Sequence, residues 1–74
     1  MTKQYYITWS ETKNKVTTDY VQLAYGKTVK DVKAQMMEEQ NYRRQTKRPF
    51  MFHLKVSLSR PYNVDRLRLG HFYY

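Results

Sequence analysis

The chain has 74 residues, no cysteine, 41% hydrophobic residues and a formal net charge of +8. A chain this short buries only about 60% of the surface its unfolded form exposes, which allows one basic α+β domain spanning residues 1–74 and no second core. The missing cysteines exclude a disulfide framework and thiolate metal sites, and no apolar run approaches the roughly 20 residues of a membrane span.

Lys3 to Trp9 reads as the first strand, because Tyr5, Ile7 and Trp9 alternate with Tyr6 and Thr8. The polar stretch from Ser10 to Lys15 is expected to reverse the chain, with Asn14 in the left-handed conformation of a hairpin loop. A second strand follows from Val16 to Tyr25, and its alternation puts Val21, Leu23 and Tyr25 toward the core with Tyr20 and Gln22 facing away.

Gly26 interrupts that strand, and Thr28-Val29-Lys30-Asp31 has the form of a capping box. The helix it opens carries a stripe of Val29, Val32, Met36 and Gln40, with Ala34 or Met37 at its margin, and should fade near Thr46. Arg43 and Arg44 suit its C-terminal dipole end. Beyond Pro49, Phe50, Phe52, Leu54, Val56 and Leu58 alternate without a fault, which predicts the most apolar strand and the anchor of the core. Arg60 to Asn63 marks a turn. The stretch Arg66 to Leu69 then fits a short fourth strand, and a helical turn starting after Asn63 fits nearly as well. The expected fold is α+β: a small antiparallel sheet of three or four strands, order β-β-α-β, covered on one face by a single helix. Its other face, with Tyr6, Tyr20, Met51 and Tyr62, is expected to stand open, which suits a symmetric homodimer or a monomer that binds through that face.

The inventory for catalysis is thin: two histidines, His53 and His71, six acids and no cysteine. The histidines lack metal-ligand spacing, so no metal, cofactor or enzymatic activity is expected. Gly26-Lys27-Thr28 resembles the end of a phosphate-binding loop, but Val21 stands where such a loop has its first glycine. Neither an aromatic RNA-binding octapeptide nor helix-turn-helix or finger spacing occurs.

Charge carries more information. Residues 1–39 nearly balance, with six Lys against five acids, whereas residues 40–74 carry eight Lys or Arg against Asp65 alone. Arg43, Arg44, Lys47 and Arg48 follow one another without an acidic neighbour, and Arg60, Arg66 and Arg68 extend the basic segment. Arginine forks suit phosphate, and interleaved tyrosines such as Tyr42 and Tyr62, with Tyr73 and Tyr74 at the chain end, can stack on bases. The expected function is therefore non-enzymatic binding of nucleic acid or a nucleoprotein complex, DNA or RNA, through this basic, tyrosine-rich surface. An acidic protein surface is the alternative partner. In that case the chain acts as an inhibitor or adaptor of phage or mobile-element type, for example one that blocks a host nucleic-acid-binding machine, a role that its small size and start at Met1 suit. Residues 1–6 lack the apolar core of a secretory signal, so the expected location is the cytoplasm, that of the host if the chain is phage-encoded, with no membrane partner.

Overall fold

The computed structural model describes residues 2–73. Its elements are β1 (Lys3–Lys13), β2 (Val16–Gly26), α1 (Val29–Gln45), β3 (Phe52–Ser57), a single 3-10 turn (Val64–Arg66) and β4 (Arg68–Leu69). The class is α+β, with a four-stranded sheet in the order β3-β1-β2-β4. β1 pairs antiparallel with β2 and β3, while β4 runs parallel to β2, so the sheet is mixed and not purely antiparallel. Both readings of the C-terminal stretch hold in part, because the 3-10 turn after Asn63 leads directly into the two-residue strand.

The hairpin is longer than its polar composition suggests. Ser10 to Lys13 remain in β1, opposite Val16 to Asp19, and the reversal takes only Asn14 and Lys15, both in the left-handed region at φ 53° and 64°. Two successive left-handed residues make the turn whose twist matches that of paired strands. Side-chain pairing of Thr12 with Thr17 (3.0 Å) and of Ser10 with Asp19 (2.6 Å) supports this polar end.

The tight turn also sets the register: Tyr5 faces Ala24, Ile7 faces Gln22 and Trp9 faces Tyr20. Residues directly opposite share a face, so β2 turns Tyr20, Gln22 and Ala24 toward the helix. The expected core face of Val21, Leu23 and Tyr25 is therefore reversed. A one-residue difference in register moves every side chain to the other side, and Leu23 and Tyr25 are accordingly exposed. Val21 is buried, but opposite Thr8 and thus on the sheet's second face.

α1 begins at the predicted cap. Asp31 N–H donates to Thr28 Oγ1 (3.3 Å), and Thr28 N–H donates back to Asp31 Oδ2 (3.2 Å). It ends with Lys47 in the left-handed region at φ 58°, where Arg48 N–H donates to the Arg43 carbonyl (2.8 Å) and Lys47 N–H to that of Arg44 (3.4 Å). This pair of backward bonds stops a helix and reverses the chain. The buried side of α1 consists of Val32, Met36, Glu39 and Arg43; Val29 and Met37 are exposed, so the apolar stripe is shorter than predicted and its C-terminal half is ionic.

The core is Tyr5, Ile7, Trp9, Ala24, Val32, Met36 and Met51. It lies under β1, not under β3. Of the five alternating apolar side chains expected to anchor it, Phe50, Phe52 and Leu58 are exposed and only Leu54 and Val56 pack against it. For Phe52 the cause is a β-bulge: Phe52 pairs with Ser10 and Lys55 with Thr8, so two residues of β3 oppose Trp9 alone, whereas Leu58 lies beyond the last paired residue, Ser57. His53 takes up the extra length at φ 56°. Met51, expected on the open face, is instead buried, with its backbone clamped by the Gln40 amide, which accepts from Met51 N–H and donates to the Met51 carbonyl, both at 3.0 Å.

Residues 58–67 join β3 at one sheet edge to β4 at the other, and Ser59, Arg60, Pro61, Tyr62, Asn63 and Leu67 line one recess with Tyr6, Thr8, Ser10, Lys55 and Ser57, which lie on the sheet face opposite α1. The second face is thus bridged in part: Val21 is buried on it, while Leu23 and Tyr25 of the same face remain exposed. After β4 the chain returns to the helix side, where Phe72 packs on Trp9 with ring centroids 5.7 Å apart.

Candidate functional site

Two basic regions result, on different sides of the sheet. The first is the C-terminal end of α1 and the turn after it, where Arg44, Lys47 and Arg48 are exposed. Arg44 lies over the Phe50 ring (5.7 Å) and Arg48 over the Tyr73 ring (4.1 Å), so both cations rest on aromatic faces with their donors left to other partners.

Arg43 does not belong to this surface. It is 1% exposed and paired from within: Nε donates to Glu39 Oε2 (2.6 Å), and Nη1 donates to Glu11 Oε2 (2.9 Å) and to the Pro49 carbonyl (3.1 Å). Trp9 Nε1 donates to the same Glu11 oxygen (2.7 Å), and Tyr73 N–H donates to Glu39 Oε2 (3.0 Å). Charges taken from water persist only when partners surround them. The expectation that Arg43 has no acid to neutralise it and joins the basic binding surface is corrected: its neutralising acids come from β1 and from the preceding helical turn.

The second region is a groove of about 590 Å³ between the sheet and the crossing segment. Its floor is Tyr6, Thr8 and Ser10 of β1 with Lys55 and Ser57 of β3, and its wall is Ser59, Arg60, Pro61, Tyr62 and Asn63. His53 and Asp19 also line it. Tyr62 is 99% exposed. Arg60 approaches Asp65 at 3.8 Å, but both side chains stand in water, where such a pair contributes little. Asp19, two strands away from Lys55, is engaged by the Ser10 hydroxyl.

Of the residues singled out in the sequence, Arg44, Lys47 and Arg48 are brought together at the helix end, and Arg60 and Tyr62 in the groove. Arg66 and Arg68 are exposed beside the short β4 edge, Arg68 opposite Tyr20. Tyr42 is half-buried on the helix with Glu38, Asn41 and Gln45, apart from the groove. Tyr74 lies outside the described residues. Lys55 and His53 are among the groove residues that sequence reasoning missed, with Thr8, Ser10, Asp19, Ser57 and Ser59; the alternation of Lys55 and His53 with apolar neighbours marks them as facing away from the core, but only the crossing chain makes that face a recess.

The entrance to the helix already holds a carboxylate of the chain itself: Asp31 Oδ2 accepts from the N–H groups of both Lys27 (3.0 Å) and Thr28 (3.2 Å). Among the described residues, no three His, Asp or Glu side chains gather to hold a metal ion, and no helix is long and apolar enough to cross a membrane. No known family model, curated protein or solved structure matches the chain.

Proposed function

We propose that the protein is a non-enzymatic module that binds nucleic acid, free or within a nucleoprotein complex, through electrostatic contacts to phosphate. One observation carries this reading: the fold draws acids inward and leaves cations outside. Pairing of buried Arg43 with buried Glu39 and partly buried Glu11 takes one cation and two acids out of the formal balance of fourteen and six. Thirteen cations then face four acids, an outward excess of nine that is larger than the net charge of the chain. Such an excess attracts polyanions and releases their condensed counterions on binding. Arg44, Lys47 and Arg48 are the first contacts, since all three are exposed at the end of α1 and two of them are steadied on aromatic rings.

The test is a titration of labelled DNA and RNA at increasing salt. Affinity is expected to fall by orders of magnitude between about 50 and 200 mM if six or more phosphates are engaged. Joint replacement of Arg44, Lys47 and Arg48 by Gln should flatten the salt slope. A salt-independent affinity, or none for either nucleic acid, removes this reading. The second reading, an acidic protein surface as partner, draws on exposed Tyr62, Leu58 and Leu69. Retention of a stoichiometric protein partner from nuclease-treated lysate would favour it.

A further inference from the structure

We infer that the groove beneath the sheet holds one or two unpaired nucleotides, which makes single-stranded nucleic acid, rather than duplex, the preferred ligand. The inference rests on the reading above and specifies its substrate class. Three features of the groove carry it.

The first is size. A recess of about 590 Å³ lies in the range of small-ligand sites and admits a base with its sugar, whereas a duplex is too wide to enter. The second is chemistry. Lys55 on the floor and Arg60 on the wall supply phosphate donors and outnumber Asp19, the one acid among the described lining residues, while Tyr6 and the fully exposed Tyr62 supply ring faces. A positive groove combined with aromatic platforms is how single strands are held without reading sequence, since every base has a face to stack. The floor adds the hydroxyls of Thr8 and Ser57, which suit sugar and phosphate oxygens, while that of Ser10 is engaged by Asp19.

The third feature is backbone geometry. His53 occupies the left-handed region within the bulge and lines the groove. Bulges re-aim side chains at sheet rims, and a non-glycine residue held there is a strained conformation that the surroundings must over-determine. Tyr62, for its part, gains nothing from the core: it lines the recess beside Pro61 and stands wholly in water, where its ring can stack on a base that enters.

The experiment compares, by fluorescence anisotropy, a DNA single strand of roughly ten nucleotides, its RNA counterpart and the corresponding duplexes. The single strands are expected to bind at least tenfold more tightly than either duplex. Tyr62→Ala should weaken single-strand binding by roughly ten- to hundredfold, as loss of one stacked base does, and Tyr62→Phe should restore it. Arg60→Ala and Lys55→Ala should each lower the salt slope on single strands by about 0.7. Since Tyr62 is fully exposed, its replacement leaves the fold intact. Equal or tighter duplex binding overturns the inference, as does a silent Tyr62→Ala. If salt-dependent binding persists in that case and is lost on replacing the helix-end cations, the broader reading stands and only the groove is wrong. Absence of binding to any of the four nucleic acids removes both.

Discussion

Arg43 Nε lies 2.6 Å from Glu39 Oε2 one helical turn away, and both side chains are closed off from water. The cation that the sequence presents as part of a basic run is the ionic centre of the fold. Its guanidinium also sits 5.8 Å from the Trp9 ring centroid and 5.0 Å from that of Tyr73, which ties the helix to β1 and to the returning C-terminal segment.

Arg43→Ala is expected to lower the unfolding free energy by about 3–5 kcal/mol, because it leaves the Glu39 carboxylate buried without its cation. Arg43→Lys should not restore it, since a flexible ammonium lacks the planar fork that reaches Glu39 on one side and Glu11 and Pro49 on the other. Urea denaturation followed by the fluorescence of Trp9 measures both. A cost for Arg43→Ala below about 1 kcal/mol, the range of a surface pair, contradicts the internal network.

Stability should depend on β1 more than on the alternating apolar run from Phe50 to Leu58, of which only Leu54 and Val56 pack against the core. Ile7→Ala, at a fully buried site, is expected to cost about 2–5 kcal/mol, whereas Leu58→Ala, 57% exposed, should change stability by no more than about 0.5 kcal/mol. Equal costs at the two positions would return the core to the third strand.

Gly70 supports the return of the chain toward the helix. A Cβ at this position would lie 2.7 Å from two atoms of the Trp9 ring, Cη2 and Cζ2, and that ring is packed between Tyr20 and Phe72. Gly70→Ala should therefore cost about 1–3 kcal/mol through overpacking. A shift in Trp9 emission would accompany it. An unperturbed emission spectrum and an unchanged denaturation midpoint would show that the segment does not press on the indole.

Lys15 and Lys47 both hold left-handed conformations that glycine adopts freely. Lys15→Gly is expected to raise stability by up to about 1 kcal/mol, the relief of the Cβ clash less the added freedom of the unfolded chain. Lys47→Gly should stabilise the helix end similarly while weakening nucleic-acid affinity. Thermal denaturation paired with the binding titration separates the two effects; identical binding by both variants would exclude Lys47 as a phosphate contact.

The sequence by itself determined the elements whose causes are local. Alternation marked Tyr5, Ile7 and Trp9 as an inward face, and the Thr28–Asp31 box placed the start of α1 because its two bonds close within four residues. Arg44, Lys47, Arg48 and Tyr62 were legible as exposed because nothing nearby competes for them. Tertiary structure alone decided the rest. Which face of β2 turns inward depends on the length of a turn outside the strand, and whether the apolar residues of β3 are buried depends on a bulge set by pairing with β1. The fate of Arg43 depends on Glu11 and Tyr73, which only the folded chain brings within reach. Sequence spacing reports the preferences of a segment for itself, but burial and register are properties of two segments in contact, and the energy that settles them is shared between residues far apart along the chain.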